Sequence, residues 1–347
     1  MDHPDLEVSL FRRDAGVYAV DLRLADPGSE ADRRLNSTAP IRFDYEALRK
    51  AGQDPAAYGT LLAGTLLAEE AVHSFLGEAI AAAQANDAPL AVRLAINPNA
   101  VELHSLRWET LRLPNSSAPL LTGENLRFSR YLSSLDWRPV RLRPQSDLRA
   151  LVAVASPSNA ARWQLAEVKT ADELAAVHAG LGSIAVTELA TRGQVTLNNL
   201  AARLRDGCDI LYLVAHGILV DGEPQILLEQ EDGTGQWTAG RELVTRINEL
   251  QERPRLVVLV SCQSAGTGAE PTTQDDGALA GLGPRLAEVG VPAVIAMQGN
   301  LTMKTASAFM PTFFAELQRD SQVDRAIAVA RGAVRDTVGG NDLLSNW

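Results

Sequence analysis

Cysteine is scarce: the 347 residues contain two, Cys208 and Cys262. That is too few for a disulfide framework and fits a reducing compartment, so a cytoplasmic setting is expected. No run of 18 or more apolar residues occurs, so no membrane-spanning helix and no membrane partner are expected. The opening "MDHPDLEVSLFRRD" lacks the basic, apolar and small-residue succession of a secretory leader. Positive charge is also in deficit: 32 Lys and Arg against 43 Asp and Glu, a formal net charge of −11. Such a surface opposes sequence-independent nucleic-acid binding, which needs a basic field. The local exception, Arg138, Arg141, Arg143 and Arg149, is interrupted by prolines and followed by no aromatic ladder. It is expected to be a solvated linker. CxxC, HExxH and acidic calcium-loop motifs are all missing, so no metal site is expected. The "GTG" at 266–268 is not followed by Lys-Ser/Thr, and no GxSxG elbow exists. No cofactor is expected, and nucleotide binding is a distant reading.

Hydrophobic residues make up 46% of the chain, enough for a sizeable core, and the length suggests two domains. The first part reads as strands. "LEVSLFRR" and "VYAVDLRL" alternate with period two around "DAG", a hairpin signature. From Tyr58 the stretch "YGTLLAGTLLAEEAVHSFLGEAIAAAQAN" carries apolar residues at helical spacing, with Gly64 weakening its early turns. "LAVRLAIN" reads as a strand. The proline- and arginine-rich "WRPVRLRPQSD" reads as a connector between lobes. Beyond it, apolar strands ("LRALVAVA", "IAVTELA", "DILYLVA", "RLVVLV", "PAVIAM") alternate with helices, and two helices close the chain. Strands that are apolar throughout and separated by helices imply a parallel α/β sheet covered on both faces. The expected boundaries are residues 1–145 for a first, non-catalytic lobe and 146–347 for a second lobe. The ending "GGNDLLSNW" is read as cut from a longer polypeptide.

Ligands in open α/β sheets bind beyond the carboxyl ends of the strands. Ser156-Pro157-Ser158, His216-Gly217, Ser261-Cys262 and Gln298-Gly299 stand at four such ends. His216 and Cys262 are 46 residues apart with one helix between their strands, so those strands are expected to be neighbours. A thiol beside an imidazole is a nucleophile with a base to take its proton. Gly217 admits a substrate carbonyl close to its N–H, and with the Cys262 N–H it can form an oxyanion hole. Taken singly, each residue has a plainer reading: a strand-terminal cysteine is usually core, and so is a lone histidine. Cys208 reads as core or buried edge. His178 and His73 read as packing or surface, and His3 and His104 have no partners at metal-ligand spacing. The acidic "EQEDGTG" at 229–235 reads as a solvated turn or as a mobile loop over the site.

"ILYLVAHG", "LVVLVSCQSAG", "LGPRLAEVGVPAVIAMQ", "FFAEL" and "AIAVARGAV" together resemble the CHAT family, caspase-like cysteine peptidases related to separases and caspases. "LRWETL" resembles that family's Pro-Trp-Glu segment, with Arg107 in place of proline. "LRFSRYL" and "LRALVAVASPS" are similar to the stretch entering the catalytic lobe. The resemblance implies an α/β fold: a caspase-like, parallel-rich sheet flanked by helices on both faces, after a degenerate caspase-like α/β lobe. It implies His216 as general base, Cys262 as nucleophile, and the N–H groups of Gly217 and Cys262 as oxyanion hole. The order, the spacing and Gln263 fit the caspase signature, whose glycine is missing here. Relatives resembling separase carry an acid after the fourth strand to hold a basic residue before the scissile bond. Met303 occupies that place here, beside Lys304, so an uncharged residue is expected there. Ser156, Gln298 and Asp276 complete the expected substrate pocket, and Asp275 and Asp276 would restore a basic preference if their loop folds over it. The family also implies a protein or peptide substrate, gating by a regulatory domain or partner, and a role in prokaryotic defence or cell death. The alternatives are a catalytically silent interaction scaffold and a cysteine hydrolase of small amides or esters.

Overall fold

A computed structural model describes residues 3–113, 119–131, 134, 136, 138–140, 143–165, 167–260, 279–296 and 303–338, without the side chains of Gln53, Met303, Lys304, Ser307 and 335–338. The chain forms two compact units. One runs to Leu132 and includes the segment that begins at Gln322; the other spans Ser133–Ser321. The division departs from the expected boundaries at both places. The connector belongs with the second unit, and the last helix belongs with the first.

In the first unit, β1 (Asp5–Asp14) and β2 (Val17–Ala25) form the expected hairpin. Gly16, at φ +67, makes its turn. The sheet order is β3-β2-β1-β4-β5, with β3 at Arg33–Asn36, β4 at Leu90–Ile96 and β5 at Leu126–Tyr131. Strands β1, β4 and β5 are parallel, while β2 and β3 are antiparallel to their neighbours. After the short α1 (Tyr45–Lys50), the expected long helix is two, α2 (Pro55–Leu66) and α3 (Glu70–Ala85). The break falls at Glu69, which is extended at ψ 125 and accepts a hydrogen bond from the Ser37 hydroxyl. An interaction distant in sequence thus overrides the helical period.

The Trp-Glu pair of "LRWETL" serves the core of this unit. Trp108 is fully buried and donates its indole N–H to the Leu103 carbonyl at 2.8 Å. Glu109 takes a two-pronged ion pair from Arg130 at 2.7 and 2.8 Å. Arg107 lies over the Tyr58 ring, 4.4 Å from its centroid. The last helix, which later takes the label α9 (Val323–Val338), packs on β5.

The second unit is a doubly wound sheet. Strands β6 (Arg149–Val154), β7 (Ala185–Leu189), β8 (Ile210–Val214), β12 (Leu256–Val260) and β13 (Ala293–Ala296) lie in the order β7-β6-β8-β12-β13, all parallel. Helices α5 (Leu197–Arg205), α6 (Gly240–Asn248) and α7 (Leu282–Glu288) cover one face, where Leu200, Leu243 and Leu282 join Leu211, Leu213 and Leu259 in one core. On the other face α4 (Thr170–Leu181) packs against α8 (Met303–Asp320), and Phe314 of α8 meets Tyr212 of β8 at 6.3 Å between ring centroids. Both faces are therefore covered, which is why β8 and β12 read as unbroken apolar runs; all ten residues are buried. Between β8 and α6 the chain inserts a three-stranded antiparallel sheet, order β11-β10-β9: β9 at Gly217–Val220, β10 at Glu223–Glu229 and β11 at Gly235–Ala239.

Arg138 is exposed and Arg143 half-buried, and both are ion-paired, which the reading as a solvated linker did not include. Arg138 pairs with Asp136 and donates to the carbonyls of Leu250 and Gln251. Arg143 pairs with Glu252 and approaches Asp209. Asp209 also holds Arg255 at 2.9 Å and the Arg149 N–H at 3.0 Å. Acids just before β8 and β12, Asp209 and Glu252, thus hold Arg143 of the basic run. Arg141 lies outside the described residues.

Leu213, at the centre of β8, has no exposure. Leu213→Ala is expected to destabilise the second unit by about 2–5 kcal/mol, measured from the urea unfolding midpoint. A loss below about 1 kcal/mol would contradict so tight a core.

Candidate active site

The carboxyl edge of the parallel sheet is level across its three central strands. Val154 pairs with Val214, and Val214 pairs with Val260. The Ala155 N–H donates to the Val214 carbonyl at 2.9 Å, and the Ala215 N–H to the Val260 carbonyl at 3.0 Å. Ser156, His216 and Cys262 each follow this shared rung by two positions in the sequence. The strand order reverses between β6 and β8, the place where open α/β sheets form a ligand crevice.

His216 is 3% exposed. Its carbonyl accepts the Leu227 N–H at 2.9 Å, which ties the end of β8 to β10. Gly217 opens β9 and stands opposite Ile226. In an antiparallel ladder, hydrogen-bonded and non-hydrogen-bonded pairs alternate. Since His216 and Leu227 are bonded, Gly217 and Ile226 are not, and the Gly217 N–H points away from β10. The next pairs follow suit: Ile218 with Gln225 and Val220 with Glu223 are bonded positions, and Leu219 faces Pro224, which has no N–H to give. The β9–β10 turn is Asp221-Gly222, with φ of +52 and +76. This is the Asp-Gly signature of a tight hairpin, and it marks the three-stranded sheet that the period-based reading of the chain missed.

Ser156 meets its expected place at the strand end, but its groups are already engaged. Its hydroxyl donates to the Val168 carbonyl at 3.1 Å and its N–H to Glu229 Oε1 at 2.9 Å. Glu229, the last residue of β10, is 4% exposed. Its second oxygen accepts the N–H groups of Gly193 at 2.7 Å and Val195 at 3.2 Å. Three backbone donors satisfy one buried carboxylate, joining the β6 exit, the β7–α5 loop and the hairpin that carries His216. Gly193 sits at φ +82, and a Cβ there would lie 2.6 Å from the Glu231 carbonyl oxygen. The turn at 230–234 is closed by Gln230 N–H to Thr234 O at 2.7 Å and strapped to Ser158, whose N–H donates to the Gly233 carbonyl at 2.9 Å. Of the two readings of 229–235, the structure favours a pinned turn, with its leading acid buried. Composition alone marked that acid as solvent-facing.

Cys262, Gln298 and Asp276 lie outside the described residues, as does the side chain of Met303, the first residue of α8. The other cysteine is accounted for. Cys208 is half-buried, and burial pushes its thiol up to about 12, with Asp209 adding to the shift. His104 is pushed down to about 4 by burial, with Arg130 nearby contributing. It lies in the first unit, as part of the turn that receives Arg130. No group of three potential metal ligands is present among the described residues.

A family model, the CHAT domain, matches residues 57–347. The chain belongs to the CHAT-domain family. That family is caspase-like, and the parallel sheet with helices on both faces is the fold it calls for. The match takes in β6, β8, β12 and everything between them, so the level rung described above lies wholly inside the CHAT domain. It also reaches back across α2, α3, β4 and β5, so the CHAT domain takes in parts of both units. No curated protein matches the chain.

Replacing Glu229 with Gln keeps the shape but turns an N–H₂ toward backbone donors. Glu229→Gln is expected to cost about 1–3 kcal/mol by urea unfolding. A change under about 0.5 kcal/mol would show that the three-donor cradle is not what holds these loops.

Proposed function

We propose that this chain is a cysteine endopeptidase that cleaves a protein substrate through a thioester acyl-enzyme. The observation that carries the proposal is the pairing of Val214 with Val260 on adjacent parallel strands, two residues before His216 and Cys262 respectively. Chain connectivity keeps each of these residues within about 7 Å of its rung, Cα to Cα.

In this reading His216 takes the Cys262 thiol proton, and the thiolate attacks the carbonyl carbon of the scissile bond. The N–H groups of Gly217 and Cys262 stabilise the oxyanion, a role that suits a Gly217 N–H turned away from β10. Collapse of the intermediate breaks the C–N bond, and the imidazolium gives its proton to the departing amine. A water, deprotonated by His216, then attacks the thioester. It releases the acid product and returns the thiol.

No cofactor enters these steps. Met303, at the head of α8, favours an uncharged residue before the scissile bond, with Ser156, Gln298 and Asp276 around it. The setting is cytoplasmic; no helix among the described residues is long and apolar enough to cross a membrane. A sensor or partner module gates the enzyme in a prokaryotic defence or cell-death pathway.

The test is digestion of a diverse peptide library by the purified chain, read by mass spectrometry, beside Cys262→Ala and His216→Ala. Each variant is expected to lose at least about a thousandfold in rate, and the cut sites are expected to follow uncharged residues. Cleavage that survives Cys262→Ala would overturn the mechanism, and a profile dominated by cuts after Arg would overturn the role of Met303.

A further inference from the structure

We propose that a crevice at the amino ends of β8, β12 and β13 binds a small organic anion, an oxyanion group carried on a compact apolar body. The crevice lies wholly within the second unit, and the inference does not depend on the peptidase reading. Its volume is about 200 Å³. Asp209, Arg255 and Pro292, each just before one of the three strands, line it together with Asp136, Arg138 and Arg253.

The carboxylates of the crevice are already engaged. Both oxygens of Asp136 accept from the Arg138 Nε–H at 3.1 Å, and one also pairs with Arg253. One oxygen of Asp209 pairs with Arg255 at 2.9 Å, and the other accepts the Arg149 N–H at 3.0 Å. Glu252 pairs with Arg143, which also comes within 3.8 Å of Asp209. The guanidinium groups of Arg138, Arg143, Arg253 and Arg255 thus meet three carboxylates, a local excess of one positive charge on a chain whose net charge is −11. Donors are in excess too. Arg255 spends one terminal nitrogen on Asp209, and its Nε and other terminal nitrogen have no partner among the described residues. Arg253 keeps a buried Nε–H without a partner. The Nε edge of a guanidinium is a fork that grips an oxyanion through two parallel hydrogen bonds. A ligand of this crevice must therefore bring acceptors and negative charge.

The walls are held in place before any ligand arrives. Arg138 is anchored on the carbonyls of Leu250 and Gln251, and Arg253 on the carbonyl and side-chain oxygen of Asn248. Asp136 sits hard against the turn before β13: a Cβ on Gly290, at φ +92, would lie 2.6 Å from its carboxylate. Pro139, Val140 and Pro292 add apolar surface beside the charged groups, and Val140 is 51% exposed. That wall suits an apolar body next to the anionic group. Pockets for drug-sized ligands run from about 300 to 1,000 Å³, so the occupant here is smaller.

The test is isothermal titration of the purified chain with benzoate and with phenyl phosphate, sodium chloride holding the ionic strength constant. Saturable binding at one site per chain is expected, with a dissociation constant of about 1 mM or tighter. Arg255→Gln removes the fork. Val140→Asp sets a carboxylate on an exposed wall position, where folding is not at stake. Each is expected to weaken binding at least about tenfold. Arg149→Gln, which alters an exposed side chain outside the crevice, is expected to stay within about twofold. If Arg255→Gln by itself lowers the urea unfolding midpoint, Val140→Asp decides. Binding of both probes supports the shared oxyanion chemistry; binding of one alone supports the site and assigns its anion as carboxylate or phosphate. No saturable binding of either probe up to about 10 mM, or binding that either folded variant leaves unchanged, would overturn the inference.

Discussion

The parallel pairing of β8 with β12 is the constraint on which the site depends. A slip of one residue would turn every side chain of a strand to the opposite face. It would also move one strand end by about 3.3 Å relative to the other. Burial on both faces prevents such a slip, because each strand presents a distinct set of apolar groups to each helical layer. Leu211 and Leu213 pack with α5, α6 and α7, whereas Tyr212 meets α8. The hydrophobic core therefore does more than stabilise the unit: it sets the level at which β8 and β12 end.

Above that level the structure is organised by backbone hydrogen bonds. Glu229 gathers three N–H donors from two loops, and the hairpin it terminates returns to hold the carbonyl of His216. The same ladder turns the Gly217 N–H outward. At the opposite edge of the sheet Asp209 pairs with Arg255 and accepts the Arg149 N–H, with Arg143 close by, and these contacts hold the amino ends.

Much of this was legible in the sequence where a local pattern reports a tertiary state. Apolar runs such as "ILYLV" and "LVVLV" occur because both faces are covered, so they signalled central parallel strands and the adjacency of β8 and β12. Other features depend on partners far along the chain and leave no periodic trace. The helix break at Glu69 needs Ser37, the captured Arg138 and Arg143 need Asp136, Glu252 and Asp209, and α9 needs β5. Glu229 looked like a solvated acid because composition does not reveal that Ser156, Gly193 and Val195 aim their N–H groups at it. The three-stranded sheet was within reach: Asp221-Gly222 is a hairpin signal, masked by the acidic loop that follows.

The central claim is that His216 acts on Cys262. The most direct measurement is the pH dependence of Cys262 alkylation by iodoacetamide in the wild-type chain and in His216→Ala. Cys208, with its thiol pushed up to about 12 by burial, stays protonated through the neutral range and does not compete. The account predicts a Cys262 thiolate that forms below the free-cysteine value of about 8.5 and returns toward it when His216 is removed. Identical titration curves in the two proteins would contradict it.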